Sequence, residues 1–388
     1  EQGMAIQKAE VASIVNNPEA PTFENTIVAL EKSGLMLGRV SYVFSALTGA
    51  NTTDRLDEID TEVSPLLTAH YDAINLDPGL FARVKTIYDN RAAMTMEPED
   101  AVLLEKTYAD MVQAGALLDE DQREQVKAIN SQLSKLTTEF GQKVREATVD
   151  GAVIVDTREE LAGLSDSDID AAATLAAEKG MEGKFALALQ NTTQQPLLPA
   201  LENREVRERL FKASAYRADQ GGDNDTRVLL AKIATLRAEK AEIFGKPDWA
   251  TYTMYDRMAK EPATALGFME DMVPALAATQ RSDAAMLNKR IAADGLDFEV
   301  QPWDWYRFAE KVKAEQFAYD ESEVMKYFEL ERVLEDGVFF MAEKLYGLTF
   351  EKRDDIPVYH PDVWVYTVFD ADGSELGLFY FDPVSYTH

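Results

Sequence analysis

The sequence predicts a mainly α-helical protein with a small β component. Three observations carry that reading. Apolar residues recur at three- and four-residue intervals through most of the 388 positions, the spacing of one buried helix face. Strand character is confined to short stretches near 152–156 and 184–191 and to a hairpin at 363–382. The composition, 46% hydrophobic and 28% charged, supports a buried core and argues against a disordered chain.

The elements follow in order. "EQGMAIQKAE" at the N-terminus reads as the interior of a helix, and further helices are expected at 22–48, 53–74, 78–92 and 97–116. The clearest helix follows Asp119. Val126, Ile129, Leu133, Leu136, Phe140 and Val144 form one stripe, and Asp119 with Gln122 has the form of a capping box. "AVIVD" (152–156) and "KFALALQN" (184–191) flank a helix that Ser165 would cap and Lys179-Gly180 would end. A helix at 200–219 precedes one over Asp225–Phe244, capped by Asn224 or Asp225, stopped by Gly245 and Pro247, and turning Leu229, Ile233, Leu236 and Ile243 inward. Helices at 262–293, 303–316 and 330–346 lead to the hairpin. In "VWVYTVFDADGSELGLFYFD" the turn is Asp370 to Gly373. Both faces of this hairpin carry apolar side chains, so cover on both sides is expected. The chain divides on this reading into three regions: helices over 1–150, helices with short strands over 151–300, and helices with the hairpin over 301–388.

Composition narrows the function. The absence of cysteine excludes disulfides, thiolate zinc sites and cysteine nucleophiles. A net charge of −30 repels nucleic acid and anionic lipid, so neither is expected as a partner. No apolar run approaches the roughly 20 residues of a membrane span, and no basic-then-apolar leader opens the sequence. A cytoplasmic location is expected, with the periplasm as the alternative if a signal peptide was removed.

Residue chemistry gives little on its own. The three histidines are His70, His360 and His388, and none lies in the H-E-x-x-H arrangement that brings two imidazoles to one zinc ion. His70 is expected on a helix surface or in a satisfied core contact. His360 with Asp362 is too poor a donor set for a metal and is read as a structural hydrogen bond. His388 is terminal. "DGSEL" is a hairpin turn and not a nucleophile elbow. Nothing singles out a carboxylate pair among the 69 acidic residues. Trp303 and Trp305 in "QPWDW" are read as a core anchor at a helix start, with Asp304 serving that helix's first turn.

The longer pattern says more. "QPWDWYRFAEKVKAEQFAYDESEVMKYFELERVLEDGVFFMAEKLYGLTF" (301–350) followed by "IPVYHPDVWVYTVFDADGSELGLFYFD" (356–382) resembles the thimet-type zinc oligopeptidases, the bacterial peptidyl-dipeptidases in particular. "PTFENTIVALEKSG" (21–34), "LQNTTQQP" (189–196) and "NDTRVLLAKIATLRAEKAEIFG" (224–245) extend the resemblance over essentially the whole chain. It implies a helical, clamshell-like fold whose lobes enclose a channel, and a zinc-dependent release of C-terminal dipeptides from short peptides. It also implies that zinc belongs to the full-length enzyme, held by an H-E-x-x-H motif and a further Glu. No position of this sequence matches those residues, so no zinc is expected on this chain. The chain is therefore expected to be an N-terminal portion, inactive alone, whose partners are short peptides and a missing catalytic lobe of the same polypeptide. By position in the family, Gly377, Tyr380 and Asp382 are candidate substrate-binding residues on the channel wall. Gly377 would let a peptide backbone approach closely; the competing readings are a bulge at Gly377 and simple packing of Tyr380. A non-catalytic peptide- or partner-binding protein on the same scaffold is the alternative, and a carboxylate-based hydrolase has no positive feature behind it.

Overall fold

The computed structural model describes residues 1–317 and 321–383; His388 and the rest of 384–388 lie outside the described residues. The chain is mainly α-helical, with two small antiparallel sheets. It divides into two units, neither continuous in sequence. One comprises 1–48, 53–147 and 218–274, and the other 49–52, 148–217 and 275–388.

The first unit is helical throughout. Helices Gln2–Val15, Asp54–Asn75, Pro78–Asn90 and Pro98–Ala114 bury one cluster around Ile27, Leu80, Val84 and Leu104. Asp77 starts the third of these by accepting from Leu80 N–H at 2.7 Å, with Pro78 in the first turn, where its missing N–H costs nothing. The expected helix at 22–48 is broken. A π-helical turn, Phe23–Val28, and a short helix to Glu31 end before Gly34, whose φ of +73° lies in the left-handed region, and Leu35–Ala50 then restarts. Arg83 is buried in this unit. Its guanidinium is satisfied by neutral acceptors alone: the carbonyls of Asn17 and Glu19, Thr26 Oγ1 and Asn25 Oδ1. It thereby fixes the 17–25 segment against the helix Pro78–Asn90.

The long helix Glu120–Asp150 begins as its sequence requires. Gln122 N–H donates to Asp119 Oδ1 at 2.9 Å, and Asp119 N–H to Gln122 Oε1 at 3.2 Å. The helix Arg227–Ile243 has Thr226 at its cap position, yet it is Asp225 that accepts from Arg227 N–H at 3.0 Å. Leu229 and Ile233 are buried, as their spacing predicts. The 32-residue helix Pro262–Ala293 contributes to both units, with the division at Pro274.

In the second unit, β1 (Val153–Val155) pairs antiparallel with β2 (Phe185–Leu187). Between them runs the helix Asp166–Glu178, capped by Ser165, which accepts from Asp168 N–H at 3.2 Å. The chain leaves β2 earlier than the sequence suggests and enters a helix, Asn191–Ala200, that two prolines disguise. A second core gathers here around Val155, Leu161, Leu201 and Leu210. The second sheet has the order β3 (Thr349–Arg353), β4 (Trp364–Phe369), β5 (Glu375–Phe381), all antiparallel. The turn between β4 and β5 closes with Asp370 N–H donating to the Ser374 carbonyl at 2.8 Å.

The expectation of cover on both faces of the hairpin holds in β4 and fails in β5. Phe339 stacks on Phe350 with ring centroids 3.9 Å apart and meets Tyr366 edge-on, which covers one face. Within β4, Val365, Tyr366 and Thr367 are buried. In β5, however, Leu376, Leu378 and Tyr380 are 58%, 44% and 41% exposed. The reason is topological. β5 is an edge strand, with no strand beyond it among the described residues.

Candidate functional site

β5 and the residues just past it hold all three candidate binding residues. Gly377 lies opposite Val368. The register then steps to Phe369 opposite Glu375, which leaves Leu376 as the extra residue, so the bulge falls beside Gly377. A Cβ built on Gly377 meets nothing within 4 Å. No contact inside the chain requires glycine there, and the strand is open at that point.

Tyr380 and Asp382 are tied into the structure. Tyr380 O–H donates to the Pro357 carbonyl at 3.3 Å, and Asp382 Oδ2 accepts from Tyr359 O–H at 2.6 Å. Asn51 Nδ2–H donates to the Tyr359 carbonyl at 3.0 Å. The segment before β4 is thereby laced to the end of β5. Burial first, then the hydrogen bond and charge of Asp382, push the Tyr359 phenol up to about 12. At neutral pH it is a fixed donor to that carboxylate. Neither Asn51 nor Tyr359 was legible as part of this rim, because their contacts span 308 and 23 positions.

The two described histidines do not build a metal site. His70 is buried, and its Nε2–H donates to Gln7 Oε1 at 2.7 Å. Nδ1 has no partner, and burial lowers the pKa, with Lys8 adding to the effect. His360 Nδ1 accepts from Asp362 N–H at 3.3 Å and lies 3.7 Å from the Asp362 carboxylate, which shapes a turn. Among the described residues no three His, Asp or Glu side chains are placed to share a metal ion. The described residues do not fit a zinc centre.

The "QPWDW" segment opens the helix Pro302–Phe317. Asp304 accepts from Gln301 N–H at 3.2 Å, as a first-turn acid does. It also does what its position could not reveal. Fully buried, it receives Arg204 Nη2 at 2.9 Å and Arg207 Nη2 at 3.0 Å, and Arg207 further caps the carbonyls of Leu201 and Glu202. Burial lowers the Arg207 pKa, and Asp304 opposes that shift. Trp305 packs against the cluster of Phe308, Leu287 and Ile291, and Trp303 lies 6.3 Å from Phe211, so both serve as anchors.

The rim of β5 thus offers an open strand edge with exposed apolar side chains. Among the described residues it presents no nucleophile with an adjoining base. Comparison with known proteins adds the context. Residues 197–388 match the model of peptidase family M3. The dipeptidyl carboxypeptidase of Escherichia coli (strain K12) is 40% identical over 382 residues, 98% of this chain and 56% of that protein. Dipeptidyl carboxypeptidase of Salmonella typhimurium (strain LT2) is equally similar, with the same coverage. Oligopeptidase A of Escherichia coli (strain K12) is 26% identical over 97% of this chain and 55% of its own length. The chain spans about half the length of the curated relatives it matches.

Proposed function

We propose, from the premise that this chain belongs to peptidase family M3, that it is the peptide-facing portion of a zinc peptidase releasing C-terminal dipeptides from short peptides. The observation that carries the reading is the 40% identity to dipeptidyl carboxypeptidase across 98% of the chain. In this reading β5 is part of a channel wall. Gly377 leaves room for a peptide backbone beside an open edge, Tyr380 supplies apolar surface, and Asp382, through Tyr359, fixes the end of the strand. The zinc ion and its general base belong to residues outside these 388 positions, since no H-E-x-x-H occurs among them. The enzyme acts in the cytoplasm, or in the periplasm if it is exported.

The chain alone is then inactive. The test is incubation of short peptides with this chain and added zinc, alongside metal analysis. The expected outcome is no dipeptide release and less than one zinc per chain. Chelator-sensitive hydrolysis with stoichiometric zinc would overturn it.

The exposed side chains of β5 favour a second reading, in which the same edge receives a strand from another polypeptide. Light scattering separates the two: a monomer at all concentrations removes this alternative.

A further inference from the structure

In a chain of net charge −30, a lysine is expected to face an acid. Lys85 meets Asp89 at 2.5 Å, Lys212 meets Glu208 at 2.6 Å and Lys311 meets Asp294 at 2.6 Å. Lys240, on the helix Arg227–Ile243 of the first unit, forms no ion pair among the described residues. Its Nζ donates instead to a neutral amide oxygen, Asn130 Oδ1, at 2.7 Å. Asn130 Nδ2–H in turn donates to Asp72 Oδ1 at 2.8 Å, so the amide stands between the acid and the amine. The ring centroid of Tyr252 lies 5.5 Å from Nζ. Tyr252 is buried and locked in place: its O–H donates to the Gln113 carbonyl at 2.8 Å, and Gln113 Nε2–H donates to the Tyr252 carbonyl at 2.7 Å.

These surroundings weaken the charged form of the amine. An ammonium drawn partly out of water is best met by a carboxylate, and an amide oxygen and an aromatic face support it less. Burial lowers the Lys240 pKa, and Asp72, beyond the amide, opposes that shift only in part. The other titratable groups at this junction leave the balance as it is. The Tyr252 phenol, pushed up to about 12 chiefly by burial, is neutral, and Lys127 acts on Asp72. A larger share of Lys240 is therefore free amine at neutral pH, the form whose lone pair can attack. The side chain is only partly buried, which leaves a small reagent a way to it.

We infer that Lys240 is an acyl-acceptor site, modified by the acyl group of an uncharged thioester. The Nζ lone pair attacks the thioester carbonyl carbon. The C–N bond forms, the C–S bond breaks, and the amine's proton leaves with the sulfur as a thiol. Charge selects the donor: an acyl phosphate is an anion that this acidic chain repels, and a neutral thioester is not repelled. The product is a neutral amide where a cation had favoured the ionised form of Asp72. The junction of the helices Asp54–Asn75, Glu120–Asp150 and Arg227–Ile243 thereby loses its bridging charge. The inference goes beyond the reading above and does not rest on it.

Competitive acetylation of this chain tests it. The probe is S-acetyl-N-acetylcysteamine, and peptide mass spectrometry reads the rate at each lysine from about pH 6 to about pH 11. Lys135, exposed and without an ion pair among the described residues, is the internal reference. At neutral pH Lys240 should be acetylated several-fold faster than Lys135, and its rate should level off at a lower pH. A lysine that only tied helices together would level off where Lys135 does. Asn130→Asp sets a carboxylate against Nζ, and should slow Lys240 about tenfold at neutral pH while leaving Lys135 unchanged. Circular dichroism should show this variant folded; if it unfolds, the two profiles in the unaltered chain decide alone. Lys240 slower than Lys135 at neutral pH, rates that level off together, or a folded Asn130→Asp with Lys240 unslowed would each overturn the assignment.

Discussion

Asp304 illustrates how much a single side chain can conceal. Its place two residues after Pro302 marks it as a first-turn acid, and it does accept from Gln301 N–H. Its larger task is to neutralise Arg204 and Arg207, 100 and 97 positions earlier, a pairing no local pattern carries. Asp304→Asn leaves Arg207 charged and buried, and should cost about 3–5 kcal/mol, read as a lower urea midpoint. His70 carries a pH dependence. It is held neutral by burial, so its folded pKa lies below the ordinary 6.5 while the unfolded chain keeps that value. The unfolded state binds the proton more readily, so the contribution is complete above pH 6.5 and is lost as pH falls through the window beneath it. Melting temperature against pH should slope upward there, and His70→Gln should flatten the slope. Gly163 is required by its backbone. Its φ is +94°, and an added Cβ would lie 2.1 Å from the Ala200 carbonyl oxygen. Gly163→Ala should cost about 2 kcal/mol or more, measured by the same urea titration.

Elements whose ends are written in local chemistry were legible. The Asp119–Gln122 box, the Ser165 cap and the turn after Asp370 all lie where short-range rules place them. Elements that depend on distant partners were not. β3, "TFEKR", has a sequence too charged to announce a strand, and it exists because β4 offers it an edge. The helix Asn191–Ala200 contains Pro196 and Pro199, which argue against a helix unless tertiary contacts hold it, and Leu197 and Leu198 are buried in the second core. Likewise, two-sided cover of β5 followed from its composition but not from its place at the sheet edge. Of the candidate site, the strand bearing Gly377 and Tyr380 could be read, whereas the Tyr359 and Asn51 contacts that brace it could not. The open edge makes a prediction of its own. Leu376→Lys with Leu378→Lys should suppress any concentration-dependent light scattering while changing stability by under about 1 kcal/mol, because both side chains are largely exposed.

For the molecule as a whole, the ordered strings from "QPWDW" to "GLFYFD" were enough to indicate the resemblance that the match of residues 197–388 to peptidase family M3 bears out, since they are joint properties of many residues. The division into units was not visible, because each unit gathers three separate stretches. The charge of −30 acts at this scale too. Self-repulsion weakens the folded state at low ionic strength, so the melting temperature should rise between about 0.01 M and about 1 M sodium chloride. The interleaving of segments also sets an order of events during translation. The cluster built on Val155, Leu161 and Leu210 draws all its members from 148–217, a single uninterrupted length. A ribosome delivers that length complete before it delivers 218–274, which the first unit still awaits. The nascent polypeptide can thus bury a middle portion while an earlier one is unfinished.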